Sequence, residues 1–358
     1  MKPLTAPPLG IIEGYYGKTW SWEERARTIR TLAPYGYEFF IYAPKFDAFL
    51  RRRWREDHPD DTAQALKAIA DVCAGCGVSF GVGLSPYEIF LNFDAAAKAA
   101  MSRKLAALDA MGVQTLAILF DDMRGDVPDL ARTQVEILHW IAERTGAKRL
   151  ILCPTYYSDT TMLDRVFGTR PPQYLADLGR TLDASIDIFW TGEEVCSREI
   201  SPGHVQRIGE TLRRKPLLWD NYPVNDSPVM SQSLHLRAFT GRPAALAPHI
   251  AGHAINPALQ PTLSCIPAVT LADSYRLGEA YEYGTAFRAA ARSVLGEDLG
   301  ELMDRHLNLL QDTGLDRLGE RAGRLRERYA AIDHAAAREI VMWLDGEYLT
   351  TTAMVEAA

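Results

Sequence analysis

No stretch of this 358-residue chain approaches the roughly 18 consecutive apolar residues of a membrane-spanning helix. The first ten residues, MKPLTAPPLG, carry one lysine and no apolar run of signal-peptide length, so a cytoplasmic protein is expected. Cysteine is scarce: Cys73, Cys76, Cys153, Cys196 and Cys265 are too few, and odd in number, for a disulfide framework. Cys73 and Cys76 form a CxxC, but no second pair completes a zinc site, and they read as buried or helix-end thiols. Surplus positive charge is missing too. The 39 Lys+Arg against 46 Asp+Glu leave −7, which offers no electrostatic attraction to nucleic acid or an anionic membrane, and neither partner is expected. No strand candidate is followed by G-x-G-x-x-G or G-x-x-x-x-G-K-[ST], which argues against both nucleotide-binding patterns.

What is present is a globular composition, 47% hydrophobic and 24% charged, arranged in a repeat. Short apolar runs begin at Leu9 (LGIIEG), Tyr37 (YEFFIYA), Gly77 (GVSFGVGL), Gln114 (QTLAILF), Arg149 (RLILCP), Ile186 (IDIFWTG), Pro216 (PLLWDN) and His249 (HIAGHAIN). Segments with helical spacing lie between them. In SWEERARTIRTLAP, Ser21 and Glu24 stand at capping-box positions; FDAAAKAAMSRKLAALDAMG is rich in helix formers and stopped by Gly112. A doubly wound sheet has the same local pattern, but eight units in a row predict a (β/α)8 TIM barrel over residues 1–283. Residues 284–358 turn to Ala, Leu, Arg and Glu at helical spacing. They predict a C-terminal helical region with one solvated face, and a homodimer through it is the lesser alternative.

In such a barrel catalytic groups stand where strands end. The groups that follow the runs are Glu13-Gly14-Tyr15-Tyr16, Lys45, Ser85, Asp121-Asp122, Thr155-Tyr156-Tyr157, Thr191-Gly192-Glu193, Asp220-Asn221 with Asn225-Asp226, and Asn256. Carboxylates, amides and aromatics, with Trp190 and Trp219 near two strand ends, suit a polyhydroxylated ligand. A phosphate would call for more Arg, Lys or glycine-rich turns.

The sharpest local feature is LFDDM. Side chains alternate along a strand, so Asp121 and Asp122 diverge and cannot flank a glycosidic bond in the ordinary retaining geometry, with carboxyls about 5 Å apart. One acid plus one residue orienting an internal nucleophile fits better. To serve as an acid at pH 7, an Asp of ordinary pKa, about 3.9, must be raised by about 3. A second carboxylate about 5 Å away could supply most of this, and burial the rest. Two other stretches read as structural: Arg51 to Arg55, RRRWR, as a source of local ion pairs, and His249 with His253, which have no third metal ligand in view.

These residues in order resemble a known family. EGYYG at Glu13 to Gly17 with Trp20, YAPK at Tyr42 to Lys45 with WRE at Trp54 to Glu56, LFDD at Leu119 to Asp122, and CPTYY at Cys153 to Tyr157 carry the first half of the resemblance. WTG at Trp190 to Gly192, WDNYPVND at Trp219 to Asp226, and Asn256-Pro257 carry the second half. The set is similar to the catalytic domain of glycoside hydrolase family 84, the family of O-GlcNAcases and bacterial β-N-acetylglucosaminidases once described as hyaluronidases. The resemblance implies a retaining exo-β-N-acetylglucosaminidase with no cofactor and no metal, acting on a β-GlcNAc-bearing glycoside or glycoprotein. In this mechanism the substrate's own 2-acetamido oxygen attacks the anomeric carbon and forms an oxazoline. It further implies that Asp121 polarises the acetamido N–H and Asp122 is the general acid and base. Tyr157 would bond the acetamido carbonyl; Gly14, Lys45, Asn221, Asp226 and Asn256 would hold hydroxyls and pocket shape, and Trp219 would form a wall. Tyr156 departs from the pattern, since many relatives have Glu there. Two rivals remain open at this point: a divalent-metal barrel using Asp121, Asp122, Glu193 and Asp220, and a non-catalytic sugar-binding barrel.

Overall fold

Eight parallel strands close in chain order into a barrel in the computed structural model, which describes residues 6–357. They are β1 Leu9–Ile12, β2 Tyr37–Tyr42, β3 Ser79–Leu84, β4 Thr115–Leu119, β5 Arg149–Cys153, β6 Asp187–Trp190, β7 Leu217–Asp220 and β8 Gly252–Ile255. β1 seals the barrel against β8, with Leu9 opposite His253 and Ile11 opposite Ile255. Each strand falls within one of the eight apolar runs. The runs are nearly continuous because both strand faces are covered, one by the barrel interior and the other by helices. β3 uses glycine for close approach: a Cβ on Gly83 would stand 2.6 Å from the Ala43 Cβ, and one on Gly81 2.9 Å from the Thr115 carbonyl oxygen.

The helices are α1 Trp22–Leu32, α2 Asp60–Gly75, α3 Ala95–Ala110, α4 Leu130–Ala142, α5 Met162–Phe167, α6 Tyr174–Thr181, α7 Pro202–Leu212 and α8 Pro261–Leu277. The expected capping box is present: the Ser21 hydroxyl accepts from the Glu24 N–H, and Glu24 accepts from the Ser21 N–H. Gly112, at φ 84°, turns the chain after α3. Cys73 ends up buried on α2, where desolvation pushes its thiol up to about 12, and all five cysteines are free. One expected helix is absent: between β7 and β8 the chain forms only the short 3-10 turns Met230–Gln232 and Ala244–His249. Pro228, Pro243 and Pro248 interrupt that segment, and each removes a helix hydrogen bond.

After α8 come α9 Tyr283–Leu295, α10 Glu297–Asn308, α11 Arg321–Ala330, α12 Ala335–Leu344 and α13 Thr352–Ala357. Their apolar side chains, among them Met303, Tyr329, Ile340 and Trp343, belong to the same buried cluster as the barrel core. Polar contacts add to the join. The Trp343 indole donates to the Ser231 carbonyl at 3.1 Å, and the Thr350 N–H to the Ser231 hydroxyl at 3.2 Å. The buried Glu339 carboxyl caps the start of α8, accepting from the Thr262 and Leu263 N–H groups at 2.8 and 3.0 Å. Among the described residues no helix is long and apolar enough to cross a membrane.

Candidate active site

The C-terminal ends of the strands surround a cavity of about 270 Å³. Pockets for small ligands usually measure about 300–1,000 Å³, so this one suits a single monosaccharide. Gly14, Lys45, Asp121, Asp122, Tyr157, Trp219, Asn221, Asp226 and Asn256 all line it, delivered by the ends of β1, β2, β4, β5, β7 and β8.

One wall is a closed ring of contacts. The Gly14 N–H donates to Asn256 Oδ1 at 3.0 Å, and Asn256 Nδ2 donates to Asn221 Oδ1 at 3.0 Å. That same oxygen accepts from the Trp219 indole at 2.9 Å. The ring closes where the Trp219 six-membered ring abuts Gly14, so close that a Cβ on Gly14 would stand 2.0 Å from Trp219 Cζ2. Only glycine fits there.

Opposite this wall Lys45 joins the two aspartates. Its ammonium is bonded to Asp121 Oδ2 and lies 3.3 Å from Asp122 Oδ2. Burial would discharge Lys45, but Asp121 and Asp122 outweigh it and raise its pKa, so it is held as a cation. Asp121 is buried and lines the cavity, and its second oxygen, Oδ1, has no hydrogen-bond partner in the protein. A buried acceptor left unpaired costs about 1–3 kcal/mol, which an N–H from a ligand would recover.

Asp122 adopts a left-handed backbone, φ 55°, a conformation that costs a non-glycine residue about 1–3 kcal/mol. Its carboxyl accepts from the Tyr16 hydroxyl at 2.7 Å and the Tyr157 hydroxyl at 3.2 Å. The expected upward push on Asp122 is not found in the free site. Burial does act upward, but Lys45, Arg51 and the Tyr16 hydroxyl overcome it and hold the carboxyl below its usual range. The cause is Lys45, which stands between the carboxylates and cancels the repulsion that would have raised one of them. Asp226 is the carboxyl raised instead. Desolvation pushes it to about 6, even though the Tyr16 N–H donates to it at 2.9 Å.

Several strand-end residues point elsewhere. Trp190 is fully buried on the outer side of β6, its indole donating to His204 of α7 at 2.9 Å, so it forms no part of the pocket. Glu13 is buried, and both its carboxylate oxygens accept from Arg25 Nε, at 3.0 and 2.9 Å. Asp220 pairs with Arg242 at 2.7 Å and with His253 at 2.9 Å, and these charges drive it down to about 2 against the upward pull of burial. Glu193 is exposed beside His204 at 3.4 Å. Of the four carboxylates of the metal-site rival only Asp121 and Asp122 share the pocket, with Lys45 between them, and among the described residues no group of three or more His, Cys, Asp or Glu could hold a metal ion. Tyr156 is fully buried, and its hydroxyl donates to the Gly168 carbonyl at 2.6 Å, which ties the loop after α5 to the barrel.

Among the lining residues that sequence reasoning did not assign to the site, three stand out. Tyr16 bonds Asp122 directly; its place in EGYYG was visible but its direction was not. Met230, from the irregular β7–β8 connection, and Val355, from α13, add apolar atoms to the cavity lining. No local pattern marks either of them.

Comparisons with known proteins bear on the family and the fold. A family model for beta-N-acetylglucosaminidase matches residues 9–308. The protein O-GlcNAcases of Mus musculus and Rattus norvegicus are each 29% identical over 276 residues, covering 75% of this chain. The chain spans 30% of the length of those relatives. Among solved structures, a mutant of the Thermobaculum terrenum O-GlcNAc hydrolase superposes with a TM-score of 0.80 at 28% identity, covering 94% of this chain and 80% of that one. CpGH84B, at 24% identity and a TM-score of 0.76, covers 95% of this chain and 66% of its own, and shares the fold. The chain belongs to the beta-N-acetylglucosaminidase family, glycoside hydrolase family 84.

Proposed function

We propose that this protein removes terminal β-linked GlcNAc with retention of configuration, the acetamido group of the substrate acting as nucleophile. The unpaired Asp121 oxygen carries the reading: a buried carboxylate, paired with Lys45 through its other oxygen and lining a monosaccharide-sized cavity, lacks one N–H donor. The acetamido N–H supplies it. Accepting that hydrogen makes the acetamido oxygen more nucleophilic, and the oxygen attacks the anomeric carbon as the C–O bond to the aglycone breaks.

Asp122 gives its proton to the departing oxygen. It then takes one from the water that opens the oxazoline, so the carboxyl ends the cycle as it began. Its low pKa in the free site fits this sequence of events. About a quarter of the Asp122 side chain is solvent-accessible, and a bound sugar removes that water, which favours the protonated form. Tyr157 would pass its hydroxyl from Asp122 to the acetamido carbonyl. Gly14, Lys45, Asn221, Asp226 and Asn256 would hold the hydroxyls and pocket shape against the Trp219 wall. We further propose residues 1–283 as the catalytic barrel and 284–358 as a helical region, and a cytoplasmic setting, consistent with five unpaired cysteines.

The test uses two aryl β-N-acetylglucosaminides, one with a dinitrophenol and one with a methylumbelliferone leaving group. Asp121→Ala lowers kcat on both. Asp122→Ala lowers kcat on the poorer leaving group by about 10²–10⁴ and far less on the better one. Equal losses for Asp122→Ala contradict its role as acid, and absence of any turnover by the native protein favours a sugar-binding barrel. Parallel assays with β-GlcNAc on protein and with chitobiose identify the aglycone it accepts.

A further inference from the structure

Asp122 has a backbone problem that its carboxyl contacts do not solve. Tyr16, Tyr157 and Lys45 all act on the carboxyl, while the left-handed main chain at φ 55° has to be held by something else. The holder is Arg51, from the loop after β2. Its Nη2 donates to the Asp122 carbonyl at 3.1 Å, its Nη1 to the Ser85 hydroxyl at 2.9 Å, and its guanidinium lies 5.4 Å from the centre of the Tyr87 ring. Only 4% of Arg51 is exposed, so the clamp is sheltered from competing water.

Arg51 also departs from the ion-pair role expected for the RRRWR run. Its neighbour Arg53 makes such a pair, with Glu56, but among the described residues Arg51 has no carboxylate within ion-pair distance. An Arg buried without its own counter-ion is costly, and its charge falls on the nearest acid, Asp122.

We propose that Arg51 is a positioning residue for Asp122: its guanidinium locks the turn that aims the carboxyl and supplies the second positive charge of the site. The proposal rests on the reading of Asp122 as general acid. Two separable jobs follow. As a clamp, Arg51 keeps the acid on the line to the leaving oxygen, which matters most where that oxygen most needs a proton. As a charge, it favours the ionised form of Asp122. The groups facing that carboxyl are Lys45, Tyr16, Tyr157, Asp121, Arg51 and, more distantly, Asp226. Of the cations, Lys45 touches Asp121 and Asp122 directly, so Arg51 can be altered without removing the primary contact.

The experiment measures pH profiles of kcat, which report the sugar-bound site, for Arg51→Gln and Arg51→Lys on the same two aryl glycosides, with Asp122→Ala alongside. Removing a positive charge makes Asp122 easier to protonate, so Arg51→Gln moves the alkaline limb up by about one pH unit. It also costs about tenfold more on methylumbelliferone than on dinitrophenol. Arg51→Lys keeps the charge but not the two-pronged geometry, so the limb stays and the leaving-group difference remains. Loss of folded protein would lower both substrates equally and leave the limb in place. That result for Arg51→Gln overturns the proposal, as does the same result for Arg51→Lys if the Gln variant does not fold. If Asp122→Ala itself shows no leaving-group dependence, the general-acid reading fails, and that failure is distinct from one confined to Arg51.

Discussion

Gly14→Ala inserts one methyl group into the pocket wall, and its effect can be worked from the contacts. The new carbon would stand 2.0 Å from Trp219 Cζ2, 2.6 Å from Cη2 and 3.1 Å from Cε2. Carbon atoms rest at about 3.5–4.0 Å, so the indole must retreat by about 1.5 Å. It has little room: it packs in a T-shaped contact with Phe189 at 5.1 Å between centroids, and its N–H is tied to Asn221. A retreat breaks that bond and loosens the Asn221–Asn256–Gly14 ring. Overpacking of this kind costs about 1–3 kcal/mol of stability, and a displacement near 1 Å in a positioning group costs on the order of 10²-fold in rate. The expected outcome is a folded protein with a lower Tm and kcat/KM for an aryl N-acetylglucosaminide down by about 10². Trp219→Phe removes the clashing atoms, so the double variant should lose less than the product of the single losses. Near-native activity for Gly14→Ala, or strictly multiplicative losses in the double variant, would refute the reasoning.

Two further predictions concern buried carboxyls outside the pocket. Asp220→Asn leaves the Arg242 charge buried with a weakened partner and should cost about 3–5 kcal/mol in denaturant unfolding. Because the folded pKa of Asp220 is depressed to about 2, its contribution is present above the ordinary 3.8 and is lost as the pH falls through 2. Glu339 has the opposite sign: burial pushes it from 4.5 to about 7, so the folded protein binds a proton that the unfolded chain has released. Its contribution is complete below pH 4.5 and disappears as the pH rises through 7, a decline on the order of 3 kcal/mol. Glu339→Gln should be less stable than the native protein at pH 5 by about one hydrogen bond, roughly 1 kcal/mol, yet lose less stability than the native protein between about pH 5 and 7, where Asp226, raised to about 6, still contributes a decline. An unchanged slope in Tm against pH would show that Glu339 does not titrate there.

The barrel was legible because each strand is apolar on both faces and ends abruptly in polar residues, as QTLAILF does before Asp121-Asp122. The nine residues expected at the site share one cavity because strand ends converge by geometry, whatever their distance in sequence. Electrostatics was not legible. The pKa of Asp122 depends on Lys45 and Arg51, which lie more than seventy positions away and on a different strand's loop. Direction was only half legible: Trp190 and Trp219 look alike at strand ends, but one faces α7 and the other the pocket. The missing helix between β7 and β8 follows from the prolines of that connection, Pro223, Pro228, Pro243 and Pro248. Met230 and Val355 reach the cavity only through tertiary packing, so no local signal could have identified them.

The central claim is that the acetamido group of the substrate, oriented by Asp121, is the nucleophile. Its most direct measurement compares kcat/KM for an aryl β-N-acetylglucosaminide with that for aryl glycosides whose N-acyl group carries one, two or three fluorines, and for the corresponding β-glucoside. Fluorine draws electrons from the acyl oxygen without greatly changing its size, so the account predicts a steep fall in rate along the series and no turnover of the glucoside. A flat series, or a glucoside hydrolysed as fast as the N-acetyl substrate, would contradict it.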